Sequence, residues 1–383
     1  MRAQITDAVR EMVLSRAIQD GSRLPSTQAL AEQWKVKVPT VHDALTPLVK
    51  EGLLERTPRI GTFVRRREER LARVGIYLSS DHIWRASAFV FGRTLCKELH
   101  EQLGRLDIED SLWVDPRPEA EQATPWAELA RAAAERRFQA LIVPSVDLAH
   151  IPWLDKLPVP VVFLSTHPPL PNRVDFDDRD WAETALSLLR EQGCRSVGVI
   201  SAKKVHLSAN GEPIEGHTGF YRQLSAAAVL LGLDLRPEWV MHAPPEGFHE
   251  NGAAFKQFGY AAMTRLWACP ERPDGIAVYE DVTAAGAIMA TMQARIAVPD
   301  ELKLALHSNA EIGLFCPFPA AFIDVCVTEV AAALIAQTRR LYAGEEVGAV
   351  IVPHRAAAVS TGAGTDVDAL PAPRSELEYA VMA

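Results

Sequence analysis

Residue types able to do chemistry are plentiful in this chain of 383 residues, but they are not spaced as a catalyst would space them. His242 and His249 lie seven apart in a Pro/Gly-rich loop, with no third ligand at metal spacing, and the other histidines are dispersed. Five cysteines (Cys96, Cys194, Cys269, Cys316, Cys326) form no C-x-x-C pair and are odd in number, which predicts free thiols rather than a disulfide frame or zinc site. No phosphate-binding G-x-x-x-x-G-K-(S/T), no G-x-G-x-x-G and no G-x-S-x-G elbow occurs. No catalytic residue, metal or cofactor is therefore expected, and the chemistry to look for is binding.

Charge gives the first direction. Residues 1–70 hold 13 Lys+Arg against 9 Asp+Glu, a net +4, whereas the other 313 hold 27 against 40, a net −13. A basic head is attracted to phosphate and an acidic body is repelled by it, although +4 alone is a weak signal. Within the head, Ile5, Val9, Met12, Val13 and Ala17 recur at helical spacing and predict a helix over about Thr6–Ile18. Asp20-Gly21-Ser22 ends it, and Ser26 stands as N-cap of a second helix with Leu30, Ala31 and Trp34 inward. A third helix carries Val41, Ala44, Leu45, Leu48 and Val49, with a kink expected at Pro47 and a stop at Gly52. Leu53–Arg56 and Gly61–Val64 then read as a hairpin, a wing behind a helix-turn-helix. Architecture alone leaves open a small three-helix domain that mediates protein contacts.

The stretch SRLPSTQALAEQWKVKVPTVHDALTPLVKEGLLERTPRIGTFV, Ser22–Val64, resembles the DNA-binding domain of the GntR family without a gap. That family's pattern runs L-P-S-E-R-x-L-A, then G-V-S-R-x-T-V-R-x-A-L, then G-x-G-T-F-V. The resemblance implies DNA contact by Ser26, Thr27, Gln28, Lys35, Lys37, Thr40 and His42, with Arg59 and Gly61 on the wing. Where members usually place arginines this chain has Gln28, Val38 and His42, which removes the strongest bidentate donors to guanine. Lys37 replaces the usual serine N-cap. Operator sequence does not transfer.

Arg65-Arg66-Arg67-Glu68-Glu69-Arg70 reads as a solvated connector, in which Arg65 and Glu69 can pair four apart. Beyond it, apolar runs at Val74–Leu78, Ala140–Val143, Val159–Leu164, Val197–Ile200, Gly275–Tyr279 and Lys303–Leu306 alternate with helical stretches at Phe89–Gln102, Trp126–Arg137, Trp181–Glu191, Phe220–Leu231 and Thr283–Gln293. Near-continuous apolar strands separated by helices predict parallel sheets buried on both faces, and nearly 300 residues of them predict two doubly wound lobes. A ligand would sit between the lobes at the carboxyl ends of the strands. No run approaches the ~20 apolar residues that span a bilayer, and the N-terminus lacks a secretory apolar core, so a cytoplasmic location without membrane contact is expected.

The body resembles, in order, the effector domain of the LacI/GalR family, which is related to periplasmic sugar-binding proteins. The carriers are RVGIYLSSD, FQALIVPSV, VPVVFLS, VDFDDRDWAETALSLLREQGCRSVGVIS, TGFYRQLSAAAVLLGL, PDGIAVYEDVTAAGAIMATMQARIAVPDELKLALH and the closing VSTG. The fold class that follows is α/β: a winged helix-turn-helix plus a two-lobed, doubly wound, periplasmic-binding-protein-like body. The expected domains are 1–67 for the head, 68–73 for the linker and 74–363 for the effector domain, with 364–383 as a loose tail. Lobe 1 is expected over about 74–175 and 308–327, lobe 2 over about 177–306 and 330–363. Cleft candidates are Ser79, Asp81, Trp84, Arg85, Ser145, Asp177, Phe255, Asp281 and Asn309, of which Asp281 matches the family's ligand-contacting aspartate and Asp177 reads first as the cap of the following helix. Gly216 stands where the family often has a ligand-binding arginine, and Leu306-His307-Ser308-Asn309 replaces its G-(F/Y)-D-D.

Together the resemblances imply a homodimeric repressor of carbohydrate-related genes, bound to double-stranded operator DNA and released by a small sugar-like effector. The competing expectation is a small-molecule-binding protein or enzyme whose head serves assembly.

Overall fold

Ile5, Val9 and Val13 fall on one stripe of a helix and are buried, which fixes how the head begins in the computed structural model. The structure describes residues 1–14, 17–19, 21–58, 60–65, 70–79, 89–144, 151–165, 170, 172–176, 178–204, 219–243 and 252–361. The first helix, α1, spans Arg2–Leu14, four residues earlier than the sequence suggested, and Ala17 lies exposed beyond its end. Thr6 explains the shift: its hydroxyl donates to the Ala44 carbonyl at 2.8 Å, so the residue expected to start the helix is buried against its partner.

Helix α2 (Thr27–Trp34) starts on the Ser26 hydroxyl, which accepts from the Ala29 amide at 3.1 Å, and ends at Lys35 in a left-handed conformation. Helix α3 (Val38–Lys50) has no side-chain cap from Lys37 and is continuous through Pro47. Strands β1 (Leu54–Thr57) and β2 (Gly61–Val64) form the antiparallel wing, and Arg23 bridges to Phe63 beside them. Leu24, Leu30, Val41, Leu45, Leu48, Leu53 and Val64 close one core with α1.

Lobe 1 is a wholly parallel six-stranded sheet in the order β13-β7-β6-β5-β3-β4. Its strands are β3 (Arg73–Ser79), β4 (Glu109–Asp115), β5 (Ala140–Val143), β6 (Val161–Leu164), β7 (Arg173–Phe176) and β13 (Val350–Val352). Helix α4 (Phe89–Arg105) packs on one face and α5 (Ala127–Ala134) on the other. Lobe 2 has the order β14-β12-β11-β10-β8-β9, parallel except for the edge strand β14. Its members are β8 (Val197–Lys204), β9 (Val240–Ala243), β10 (Gly275–Val278), β11 (Lys303–Asn309), β12 (Pro319–Val325) and β14 (Arg355–Thr361), with helices α6 (Asp178–Glu191), α7 (Gly219–Leu231), α8 (Gly252–Trp267) and α9 (Asp281–Gln293).

The lobe boundaries correct the expectation at the C-terminal end. Residues 319–325 belong to lobe 2, because β12 pairs in parallel with β11 from Ala305–Ala321 to Asn309–Val325. Helix α10 (Val327–Ala343) and β13 return to lobe 1, because Val330, Leu334 and Ile335 pack with Leu95 and Leu99 and because β13 pairs with β7. The chain thus crosses between lobes after β7, after β12 and between β13 and β14. Strand β4 was missed because Glu109, Asp110 and Asp115 dilute the apolar signal of an edge strand whose burial alternates.

Candidate functional site: an interlobe cleft and a winged head

Asp281 is the first residue of α9, where the backbone has just left an unusual geometry: Glu280 sits at φ 59° and ψ 125°, a region L-residues rarely adopt. One Asp281 oxygen accepts from the Val282 amide at 2.8 Å and the other from the Asn309 side-chain amide at 2.8 Å. Burial raises the Asp281 pKa, against the pull of those hydrogen bonds. Glu280, half-buried as a residue but with its carboxyl enclosed, accepts from the Ser201 hydroxyl at 3.1 Å and the Ala202 amide at 2.9 Å. Burial pushes its pKa up to about 7.

These residues open onto a cavity of about 220 Å³ between the lobes. Lobe 1 contributes Phe91 and Phe176, edge to face at 6.0 Å; lobe 2 contributes Phe255 of α8, Tyr279, Asp281, His307 and Asn309. His307 joins an aromatic cluster. Its ring lies 4.9 Å from Tyr279 and 5.8 Å from His354, which sits in the third crossing. Burial, then His354 and Lys203, drives the His307 pKa well below its usual value, so the ring is neutral, and its Nδ1 has no hydrogen-bond partner among the described residues. The Lys203 ammonium lies 4.7 Å from both the Tyr279 and Phe220 ring centroids.

Of the expected cleft residues, the structure brings Phe255, Asp281 and Asn309 together in this cavity. Ser79 is elsewhere: its hydroxyl donates to Gln122 Oε1 at 2.6 Å, in a network that joins Tyr77, Asp115 and Arg117. Asp81, Trp84, Arg85, Ser145, Asp177 and Gly216 lie outside the described residues. Phe91, Phe176, Tyr279 and His307 were not foreseen; the signal for the last two was their place at the carboxyl ends of adjacent strands. His242 offers Nδ1 to the Ala243 carbonyl at 3.1 Å, and His249 lies outside the described residues. A broader cavity, about 520 Å³, lies between Lys50 and Glu51 of the head and Arg131, Trp153 and Lys156 of lobe 1, but it gathers no comparable set of buried polar groups.

In the head, Gln28, Lys35, Lys37 and His42 are exposed, Thr27 and Thr40 half-buried, and Ser26 caps α2; Arg59 is outside the described residues. An arginine of the wing lies against α3: Arg56 Nη1 meets His42 Nε2 at 2.8 Å and Nη2 donates to the His42 carbonyl at 3.4 Å. Gly61, at φ 149°, leaves room for Arg23, whose Nε lies 2.6 Å from where a Cβ would stand. A guanidinium thus lies against the wing turn and another against α3, and neither position was singled out from the sequence.

Residues 1–64 match the family described as bacterial regulatory proteins, gntR family, and residues 186–356 match the periplasmic binding protein-like domain. The chain therefore joins a GntR-type helix-turn-helix domain to a periplasmic-binding-protein-like domain. Similar curated proteins are the HTH-type transcriptional repressors PurR of Mannheimia succiniciproducens, 28% identical over 135 residues (35% of each chain), and of Aliivibrio salmonicida, 23% identical over 198 residues (50% of this chain, 54% of that one). The matches span about a third to a half of the length of these relatives. Among solved structures, a LacI family regulator from Clostridium acetobutylicum aligns with TM-score 0.58 at 16% identity, covering 76% of this chain and all of that one. CcpA of Lactococcus lactis aligns at 0.57 and 14%, over 76% and 99%. A structure titled transcriptional regulator CelR-cellobiose complex aligns at 0.58 and 14%, over 88% and 100%. They share the two-lobed fold.

Proposed function

We propose that this protein is a ligand-responsive DNA-binding transcription regulator, a repressor that a small sugar-like effector releases from its operator. The observation that carries the reading is the joining, in one chain, of a winged helix-turn-helix and a two-lobed body with an aromatic, acceptor-lined cavity between its lobes. The repressor names of the curated relatives and the cellobiose bound to one structural neighbour support the sign of regulation and the ligand class.

The chain crosses between the lobes three times, so closure on a ligand bends the crossings together and alters how two heads are presented. Pairing of two bodies places the heads on the half-sites of a pseudo-palindromic operator. Val229 and Leu230 on α7, with Met289 and Met292 on α9, are large apolar side chains left exposed on lobe 2 and available for such pairing. Ser26, Thr27, Gln28, Lys35, Lys37, Thr40 and His42 contact DNA in this reading, Arg59 and Gly61 do so from the wing, and Arg56 joins them. Asp281, Asn309 and Phe255 contact the effector, with Asp81, Trp84, Arg85, Ser145 and Asp177 toward lobe 1. No described helix is long and apolar enough to cross a membrane; the site of action in this reading is the cytoplasm.

The test is footprinting of the purified full chain on the DNA upstream of its own gene, with and without pooled metabolites. A discrete protected site that fades with a pool is expected. No protected site at any salt concentration overturns the reading and favours a head that serves assembly.

A further inference from the structure

Asp281 and Glu280 are adjacent carboxylates in one cavity wall, and neither is in an ion pair among the described residues. No described lysine or arginine lines the cavity. The cations that act on the pair stand back from it: Lys256 on the exposed side of α8 for Asp281, Lys203 behind the Tyr279 ring for Glu280. A carboxylate withdrawn from water without a cation is costly, and the site recovers that cost when something cationic arrives. The other walls include the rings of Phe91, Phe176, Phe255 and Tyr279, and the face of an aromatic ring attracts a cation.

An independent observation points the same way. His307 lies in the cavity wall, its ring enclosed and neutral, and its Nδ1 has no partner among the described residues. A neutral imidazole keeps one accepting nitrogen, both Asp281 oxygens accept, and so does the Asn309 side-chain oxygen, its amide being spent on Asp281. Acceptors therefore predominate among the described polar groups of the cavity. An ammonium supplies three donors and a charge. A phosphate or carboxylate supplies neither, and would meet Asp281 with like charge.

We infer that the cleft selects an amino-bearing ring ligand, its amine directed at Asp281 and its ring held among the phenylalanines, over the hydroxyl analogue, and that it rejects phosphorylated and carboxylated analogues. This rests on the regulator reading for the cleft's role but not for its chemistry. An amino sugar fits both.

The test uses the full chain and two matched probe sets: glucosamine, glucose, glucuronate and glucose 6-phosphate; and cyclohexylamine, cyclohexanol and cyclohexanecarboxylate. Thermal shift and calorimetric titration at neutral pH are expected to show the amine binding at least tenfold tighter than the alcohol in at least one set, with no shift from the anions. Asp281→Asn should erase the preference of amine over alcohol, and His307→Phe should weaken the amine while leaving Asp281 in place. Equal binding of amine and alcohol, tighter binding of an anion, or no binding by any probe overturns the inference, and the unmutated chain alone decides this if a variant fails to fold. Footprinting separates the two readings: release of a protected site by a neutral or anionic ligand sinks the inference and leaves the regulator standing, whereas an amine preference without any protected site does the reverse.

Discussion

The Asn309 side-chain amide donates to the Asp281 carboxylate at 2.8 Å, tying the last residue of β11 to the first of α9 across the mouth of the cleft. Both residues are buried or half-buried, so the bond holds a partly desolvated charge in place. Asn309→Ala should lower stability by about 1–3 kcal/mol, as expected when a buried acceptor loses its donor. Asn309→Asp should cost more near neutral pH, where two carboxylates would face each other, and recover part of the loss at pH 4. Urea midpoints of the three proteins at the two pH values check this; equal midpoints would mean that the pair is not formed in solution.

Glu280 gives a pH dependence with a definite sign. Its folded pKa, raised to about 7, lies above the ordinary value of 4.5, so between these values the folded protein holds a proton that the unfolded chain releases. The contribution is fully present below pH 4.5 and is lost as pH rises through 7, at up to ~1.4 kcal/mol per unit. Glu280→Gln keeps the shape and removes the titration, so its stability should fall less steeply than that of the unmutated protein between pH 5 and 7.5. Parallel curves for the two would refute the assignment.

Glu311 has the opposite sign. Its carboxylate accepts from the Val327 and Thr328 amides, at 2.8 and 2.9 Å, and from the Cys326 thiol, so it caps α10 from the far side of the second crossing. Although burial acts the other way, these donors together hold its pKa down at about 2. Its stabilisation is present above pH 4.5 and is lost as pH falls through about 2. Glu311→Gln should lower the melting temperature at pH 7 by a few degrees and narrow the gap from the unmutated chain at pH 2.5. Because Cys326 and Glu311 flank a crossing, effector affinity in this variant should change as well, read by titration.

How much of this was legible in the sequence follows the periodicities. The parallel strands at Val74–Leu78, Ala140–Val143 and Gly275–Tyr279 announce themselves because both faces are buried, and Ser26 declares α2 because a hydroxyl cap is local chemistry. The lobe assignment of β12 and α10 was not legible, since α10 packs on residues more than two hundred positions earlier and such contacts leave no local trace; only the register of β11 with β12 and the packing of Val330 and Leu334 with Leu95 and Leu99 reveal it. Asp281 could be found by its motif, and Asn309 by its place in the following strand. His307 could not be found as a ring-stacking residue because its aromatic partners, Tyr279 and His354, come from other strands and a crossing. Ser79 misled for the converse reason: the end of the first strand is the right place, but Gln122, 43 residues on, claims the hydroxyl.

Gly259 and Gly286 mark the tightest helix crossing. A Cβ on Gly259 would stand 2.0 Å from the Thr283 carbonyl oxygen, and one on Gly286 2.0 Å from that of Lys256. Backbone, not a flexible side-chain tip, occupies both places, so neither clash relaxes by rotamer change. Gly286→Ala should destabilise by about 1–3 kcal/mol or more and push α8 away from α9. Since Phe255 and Asp281 sit at the ends of these two helices, effector affinity should fall with it, while DNA binding of the folded fraction persists.

The contact between Arg56 and His42 gives the sharpest prediction for the head. If the guanidinium stands in for the arginine that α3 lacks, Arg56→Ala should weaken specific DNA binding tenfold or more, and Arg56→Lys should not restore it, because the bidentate fork is lost. Measuring the salt dependence separates the two things an arginine can do. Loss of a phosphate contact lowers the slope of log affinity against log salt by about 1 and weakens all sequences alike; loss of a base contact leaves the slope and relaxes one operator position. The mixed wing-and-helix position of Arg56, with His42 orienting it, favours the second outcome. An affinity and slope unchanged in Arg56→Ala would return this pair to a purely structural role.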